Sequence, residues 1–137
     1  MKRITSIGLL TLILGLGAGY MAGQRAVAEP RPEVKLMNLM RTELGIAKGI
    51  EVIISEIHIP PGTSLPTHYH PGEEFVYMLE GSGTAWLKDK PDVHLRKGEV
   101  FKVPIKQIHT AKTADEGFKA IVFRVHRMGE PERILAD

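Results

Sequence analysis

Two short stretches of this sequence contain four side chains that could bind one metal ion, namely His68, His70, Glu74 and His109. Successive side chains of an extended strand alternate between its two faces, so His68 and His70 project to the same side, about 6.5 Å apart. Pro71-Gly72 then breaks the strand and lets the chain turn, which brings Glu74 back from the start of the next strand. A third imidazole from His109 would complete the set.

Three imidazole nitrogens and one carboxylate predict a site for one divalent transition metal, and zinc, iron, manganese, nickel and copper all suit it. Calcium and magnesium are disfavoured because they bind mainly to oxygen. Three imidazoles buried beside a carboxylate would be costly to desolvate without an ion, which argues against a barrel that keeps this pattern without binding metal. Val76 and Met78 share the strand face of Glu74 and are candidates for the lining of a pocket.

These residues resemble the two sequence motifs of the cupin family. The first motif, G-x5-H-x-H-x3-E-x6-G, is matched throughout, by Gly62, His68, His70, Glu74 and Gly81. The second, G-x5-P-x-G-x2-H-x3-N, is matched at Gly98, Pro104 and His109, and departs from the family at Lys106 and Thr113, where glycine and asparagine are usual.

The resemblance covers residues 50–126 and is to small single-domain bacterial cupins. It implies a small antiparallel jelly-roll β-barrel with the metal in its mouth, and it favours Glu74 over the neighbouring Glu73 as the carboxylate ligand. It also implies a possible homodimer, because cupins commonly pair through their outer sheet faces.

The rest of the chain independently predicts an all-β fold. Short runs rich in β-branched and aromatic residues are separated by turn residues, with Gly81-Ser82-Gly83 among the turns, and no sustained 3.6-residue apolar period follows residue 28. Strands are expected over residues 50–59, 74–80, 84–88, 93–96, 100–103, 109–112 and 118–126, and residues 34–40 are either a first strand or a short arm.

The first 28 residues predict a signal peptide, because Lys2 and Arg3 precede an apolar stretch and Ala26-Val27-Ala28 offers a cleavage site. An uncleaved membrane anchor is the alternative, since the apolar stretch approaches the length of a membrane span. Either way we expect a periplasmic or secreted domain. The expected organisation is a signal peptide over residues 1–28, an N-terminal arm over 29–49, a cupin barrel over 50–127 and a C-terminal tail over 128–137.

Charge and cysteine content exclude several classes of protein. Removal of residues 1–28 takes away three basic and no acidic side chains, which changes the formal charge from +2 to about −1. The basic side chains that remain are scattered, so a nucleic-acid-binding protein is not expected. The absence of cysteine rules out a disulfide framework and thiolate ligands to a metal.

Two functions remain open at this stage. The first is an enzyme of dioxygenase, lyase or isomerase type that acts on a small organic molecule through the metal. The second is an exported binding or sensing module, without catalysis, in which the metal is structural. No catalytic residue can be assigned, although Tyr69, Tyr77 and His126 are candidates for a general acid or base. Loading outside the cytosol would favour copper and zinc over iron and manganese.

Overall fold

A computed structural model describes residues 32–136 of the chain. The predicted signal peptide and the start of the predicted arm lie outside the described residues. Within residues 32–136, no helix is long and apolar enough to span a membrane.

The described chain consists of nine β-strands joined by turns. Their bounds are β1 Lys35–Glu43, β2 Ile50–Ile59, β3 His68–Tyr69, β4 Glu73–Leu87, β5 Val93–Arg96, β6 Val100–Val103, β7 His109–Lys112, β8 Phe118–Arg127 and β9 Ile134–Leu135. The expected all-β fold is confirmed.

All the strand pairs are antiparallel, and they form two sheet halves that share β4. In the first half the order is β1, β2, β8, β4 and β6, and in the second half β4 pairs with both β5 and β7. Strand β3 continues the second half from β7 and then pairs with β9. The curled sheet therefore has the antiparallel barrel architecture that the sequence predicted.

The prediction of two separate strands over residues 74–80 and 84–88 was wrong, because β4 runs without interruption from Glu73 to Leu87. Gly81 has a φ of 71°, and the pairing register with β8 shifts between Met78 and Glu80. A bulge with a glycine in the left-handed region bends a strand without reversing it. The glycines therefore bend β4 from one sheet half into the other.

Both ends of the described chain belong to the sheet. The predicted arm contains β1, which pairs with β2 along nearly its whole length. The predicted C-terminal tail contains β9, in which Ile134 and Leu135 lie opposite Tyr69 and His68 of β3. The C-terminal segment thus reaches the strand that carries the first predicted metal ligand.

Alternate residues of β2 and β8 form the inner wall of the barrel. The even-numbered side chains of β8 are buried from Phe118 to His126, and Ile53 and Ile59 of β2 are fully buried. Around the centre lies a cluster of buried apolar side chains, consisting of Ile59, Met78, Leu95, Phe118 and Ala120. All members of this cluster except Ala120 line a cavity of about 460 Å³.

Candidate metal centre

Three histidine rings meet at one point between the sheet halves. His68 and His109 lie directly opposite each other on β3 and β7, with ring centroids 4.4 Å apart. His70 follows β3, and its ring centroid lies 5.0 Å from that of His68 and 5.2 Å from that of His109. All three side chains are buried, and one ring nitrogen of each lies within 4.8 Å of the others.

Hydrogen bonds to backbone carbonyls fix which nitrogen of each ring is free. The Nδ1 atoms of His68, His70 and His109 lie 2.7, 2.5 and 2.9 Å from the carbonyl oxygens of Pro66, Glu132 and Gln107 respectively. A carbonyl oxygen can only accept, so each Nδ1 carries the proton and donates. A neutral ring that carries its proton on Nδ1 has its lone pair on Nε2, as in rings that bind metal through Nε2.

Glu74 lies against two of these rings. Its carboxylate oxygens are 3.0 Å from His70 Nε2 and 3.7 Å from His109 Nε2. Burial raises the pKa of the Glu74 carboxyl, but the hydrogen bonds and positive charge that His109 and His70 supply when their rings are protonated outweigh burial and hold the pKa below its ordinary value. The neighbouring Glu73 instead pairs with Lys102 at the surface, in line with the expectation that it is solvated.

The buried ring nitrogens and the Glu74 carboxylate form an environment that suits a bound cation. Burial lowers the pKa of His68 from 6.5 to about 4, although the hydrogen bond to the Pro66 carbonyl acts in the opposite direction, so this ring is neutral at pH 7. His70 Nε2 is buried and has no hydrogen-bond partner, although it lies 3.0 Å from Glu74. A nitrogen lone pair and a carboxylate repel each other at that distance unless a positive charge lies between them. A divalent ion would supply this charge.

Two further charged residues belong to the site, and the sequence analysis did not identify them. Arg124 lies directly opposite Glu74 on β8, and its Nε atom is 3.5 Å from Glu74 Oε2. Its guanidinium also donates to Glu132 at 2.7 Å and to Ser55 at 3.2 Å. Glu132 in turn accepts a hydrogen bond from Arg41 of β1. Glu132 therefore connects the C-terminal segment to His70, to β8 and to the edge strand β1.

The three candidates for a general acid or base do not line the cavity. Tyr77 is exposed, and the buried His126 lies 3.4 Å from Glu51 in a separate contact. The contacts continue as a chain of charged groups, in the order His126, Glu51, Arg41, Glu132, Arg124 and Glu74. His126 is therefore linked to the site only indirectly.

The two departures from the second motif have visible structural consequences. Lys106 has a φ of 56°, in the left-handed region where glycine is favoured, and its amide donates to the carbonyl of His70. The Thr113 hydroxyl donates to the carbonyl of Pro60 at 2.6 Å and accepts from the amide of Thr63 at 2.9 Å. Thr113 thus holds the turn before the first motif.

The cavity lies beside the three rings. Its lining includes His68, His70, His109, Glu74 and Arg124, and its remaining wall is mostly apolar. Val76 and Met78 line it, as the strand pattern predicted.

A profile of the cupin domain matches residues 55–126, which is more than half of the chain. The chain belongs to the cupin family. A solved RmlC-like cupin from Methanocaldococcus jannaschii, described as having a double-stranded β-helix fold, superposes with a TM-score of 0.59 at 19% identity. That comparison covers 69% of this chain and 82% of the other, and it confirms the fold.

Two curated relatives are enzymes. The chain is 30% identical over 66 residues to dimethylsulfoniopropionate lyase DddQ from Ruegeria pomeroyi, covering 48% of this cupin and 33% of the lyase. The crystal structure of that lyase superposes with a TM-score of 0.58 at 25% identity, covering 62% and 43% of the two chains. The chain is also 37% identical over 71 residues to 3-hydroxyanthranilate 3,4-dioxygenase from a Jannaschia species, covering 48% and 39%. This cupin thus spans less than half the length of either relative.

Proposed function

We propose that this cupin binds one divalent transition metal through His68, His70, His109 and Glu74 and acts on a small organic molecule in the adjacent cavity. The observation that carries the proposal is the convergence of three Nε2 lone pairs beside a buried carboxylate. Such a metal would polarise an oxygen of the substrate or, if it were iron, bring dioxygen to the site.

The protein groups would position and shield the reactants. The carbonyl oxygens of Pro66, Gln107 and Glu132 orient the three rings. Arg124 orients Glu74 and balances its charge, and the apolar wall keeps bulk water away from the site. The two curated relatives, a lyase and a dioxygenase, support a reaction of lyase or dioxygenase type.

Metal content measured by mass spectrometry tests the ligand set. We expect about one ion per chain in the native protein and in His58→Ala, which alters an exposed histidine away from the cluster. His70→Ala should lose at least tenfold in metal affinity, since it removes one of four ligands. Equal metal content and affinity in His70→Ala and His58→Ala would refute the ligand set.

A binding or sensing module without catalysis is the second candidate. It is favoured by the lack of an available proton-transfer group in the cavity wall: among the described residues, the wall contains no tyrosine or lysine, and its carboxylates Glu74 and Glu132 both contact Arg124. Metal-loaded protein should be assayed with phenolic, keto-acid and sulfonium compounds, with His70→Ala as the control. Turnover that depends on His70 supports the enzyme, whereas tight binding without turnover supports the module.

Export, cleavage after residue 28 and the metal's identity are further parts of the proposal. The basic and apolar order of residues 1–28 supports export. Amino-terminal sequencing of protein from the exported fraction should begin at Glu29, and metal analysis of the same material should give zinc or copper. Recovery of the full-length chain in the membrane fraction would favour the anchored alternative, and iron or manganese at one per chain would contradict the metal assignment.

A second copy of the chain is the partner we propose for the outer face of the first sheet half. Ile54, Phe123 and Phe75 lie opposite one another across three neighbouring strands, and Tyr77 is exposed beside them. Lys102 lies over the ring of Phe75 and pairs with Glu73, so the apolar side chains have a charged pair beside them. An apolar patch of this kind can be self-complementary about a two-fold axis. Sedimentation equilibrium should show a dimer that Phe123→Glu dissociates and that Ala114→Glu, in an exposed turn, leaves intact. A monomeric native protein would refute this pairing.

A further inference from the structure

The cavity wall away from the histidine cluster is apolar. We call this part of the wall the apolar pouch; it is formed by Ile57, Ile59, Val76, Met78, Leu95 and Phe118. Ile59 and Met78 are almost completely buried, at 0% and 1% exposure. The cavity volume of about 460 Å³ lies within the range of small-molecule sites. The space beside the metal centre can therefore accommodate an organic group and would desolvate it.

The charged groups of the cavity wall lie at the metal end. Arg124 contacts both Glu74 and Glu132 there, and the exposed Arg133, which also lines the cavity, follows Glu132 in sequence. The Arg124 guanidinium already faces two carboxylates, so little of its positive charge is available to a ligand. An anionic group placed in the apolar pouch would lose its hydration without gaining an ion pair.

The threonine hydroxyls of the cavity wall are also engaged. The Thr110 hydroxyl donates to the carbonyl of Leu65 at 2.6 Å, and the Thr84 hydroxyl is hydrogen-bonded to His94 at 2.9 Å. Among the wall residues that the structure describes, the pouch thus offers few groups to a charged or strongly hydrated ligand. Its chemistry selects for apolar surface.

We infer that the ligand is amphipathic, with a small oxygen-bearing head that binds the metal and an uncharged apolar body that occupies the pouch. This inference rests on the proposed metal site for the head and on the pouch for the body. A compound with a second charge remote from its metal-binding head is disfavoured, because that charge would lie among the apolar side chains of the pouch, and the exposed, cavity-lining Arg133 is not one of them.

Hydroxamates of increasing chain length test the inference directly. The protein is loaded with cobalt(II), and the change in its visible absorption reports binding of the shared hydroxamate head. We expect affinity to increase about fourfold for each added methylene, and therefore about 200-fold from the two-carbon to the six-carbon compound, the equivalent of ~0.8 kcal/mol per buried CH₂. A six-carbon hydroxamate that ends in a carboxylate should bind at least tenfold more weakly than its uncharged counterpart.

A matched pair of variants locates the apolar body. Ala111 lines the cavity, so the larger side chain of Ala111→Leu should occupy space there. This variant should show a smaller increase in hydroxamate affinity with chain length, and its affinity for acetohydroxamate should be unchanged. Ala114→Leu makes the same substitution in an exposed turn and should behave as the native protein. Affinity that does not depend on chain length, or equal effects of the two variants, would overturn the inference.

A metal-free arm separates this inference from the metal site itself. If cobalt does not bind, the proposed function fails, but 1-hexanol can still be titrated into the metal-free protein and followed by amide chemical shifts. Shifts clustered at Ile59, Met78 and Phe118 would support the pouch as the site of the apolar body. Their absence at saturating hexanol would refute it independently of any metal.

Discussion

Glu132 offers the sharpest test of how the C-terminal segment supports the site. Its carboxylate accepts hydrogen bonds from Arg124 and Arg41, and its backbone carbonyl accepts a hydrogen bond from His70 Nδ1. Glu132→Ala removes the side-chain contacts and leaves the backbone carbonyl in place. The substitution therefore asks whether the ion pairs are what hold that carbonyl against the ring.

The expected loss of stability follows from the burial of Arg124. Its side chain is only 6% exposed, and breaking a buried ion pair typically costs about 3–5 kcal/mol. Glu132 is 27% exposed, and Arg124 retains Ser55 and Glu74, so we expect about 2 kcal/mol. For a domain of this size, that loss lowers the melting temperature by roughly 8–16 °C.

Metal affinity should also decrease in Glu132→Ala. Loss of an outer contact that orients a metal ligand usually costs about 10- to 100-fold in affinity, and we expect the lower part of that range because the carbonyl survives. Urea unfolding of the metal-free protein gives the stability, and competition with a chelator gives the affinity. Glu130→Ala is the control, since Glu130 is exposed on the same turn and its side chain makes no ion pair with the described residues.

The reasoning is refuted if Glu132→Ala matches Glu130→Ala within about 0.5 kcal/mol, the usual effect of a surface substitution, and binds metal equally well. Glu132→Gln adds a finer measurement, because it keeps an acceptor for Arg124 and removes the charge. Its stability should fall between those of the native protein and Glu132→Ala.

Three other predictions concern the metal-free protein. The pKa of His68 is about 4 in the folded protein and 6.5 ordinarily, so the unfolded chain takes up a proton at this residue first as the pH falls. Urea unfolding at several pH values should show that the free energy of unfolding decreases by up to roughly 3 kcal/mol from pH 6.5 to 4. A free energy of unfolding that stays constant over this range would contradict the prediction. Gly72→Ala would place a Cβ atom 1.9 Å from the Val125 carbonyl oxygen and should lower the free energy of unfolding in urea by ~2–3 kcal/mol. Gly45→Ala is the control, since Gly45 has open space around it, and should lower the free energy of unfolding by less than ~0.5 kcal/mol. Equal losses in the two variants would exclude the steric explanation. Thr113→Val loses two hydrogen bonds and should cost about 1–2 kcal/mol in thermal unfolding, and no change would show that water replaces them.

The local pattern of the chain was enough to predict most of the strands. Five observed strands begin at the residue predicted for them, because turn residues bound short β-branched runs there. The prediction of a turn at residues 81–83 was wrong because glycine is common both in turns that reverse the chain and in bulges that only bend a strand. Gly81 lies against Gly117 and Phe118 of another part of the chain, and only that packing distinguishes the two outcomes.

The cluster of His68, His70 and His109 was predictable because it lies in two motifs of fixed spacing, and the structure brings these rings together. Arg124 and Glu132 were not predicted, because they lie in β8 and the C-terminal segment. No sequence motif links these two segments to the four predicted metal ligands. A usable signal was nevertheless present: Arg124 occupies an inward position on the strand face that also carries Phe118, Ala120 and Val122. A charge in such a position requires a buried partner.

The hydrogen bond between His70 and Glu132 spans 62 positions of the chain. A polypeptide that emerges amino end first from a ribosome or a secretion channel would present its first two imidazoles long before residue 132 becomes available to orient one of them. Binding of an ion with the affinity of the folded protein is then expected only late in synthesis or translocation. The metal taken up would depend on the ions present where that last step happens.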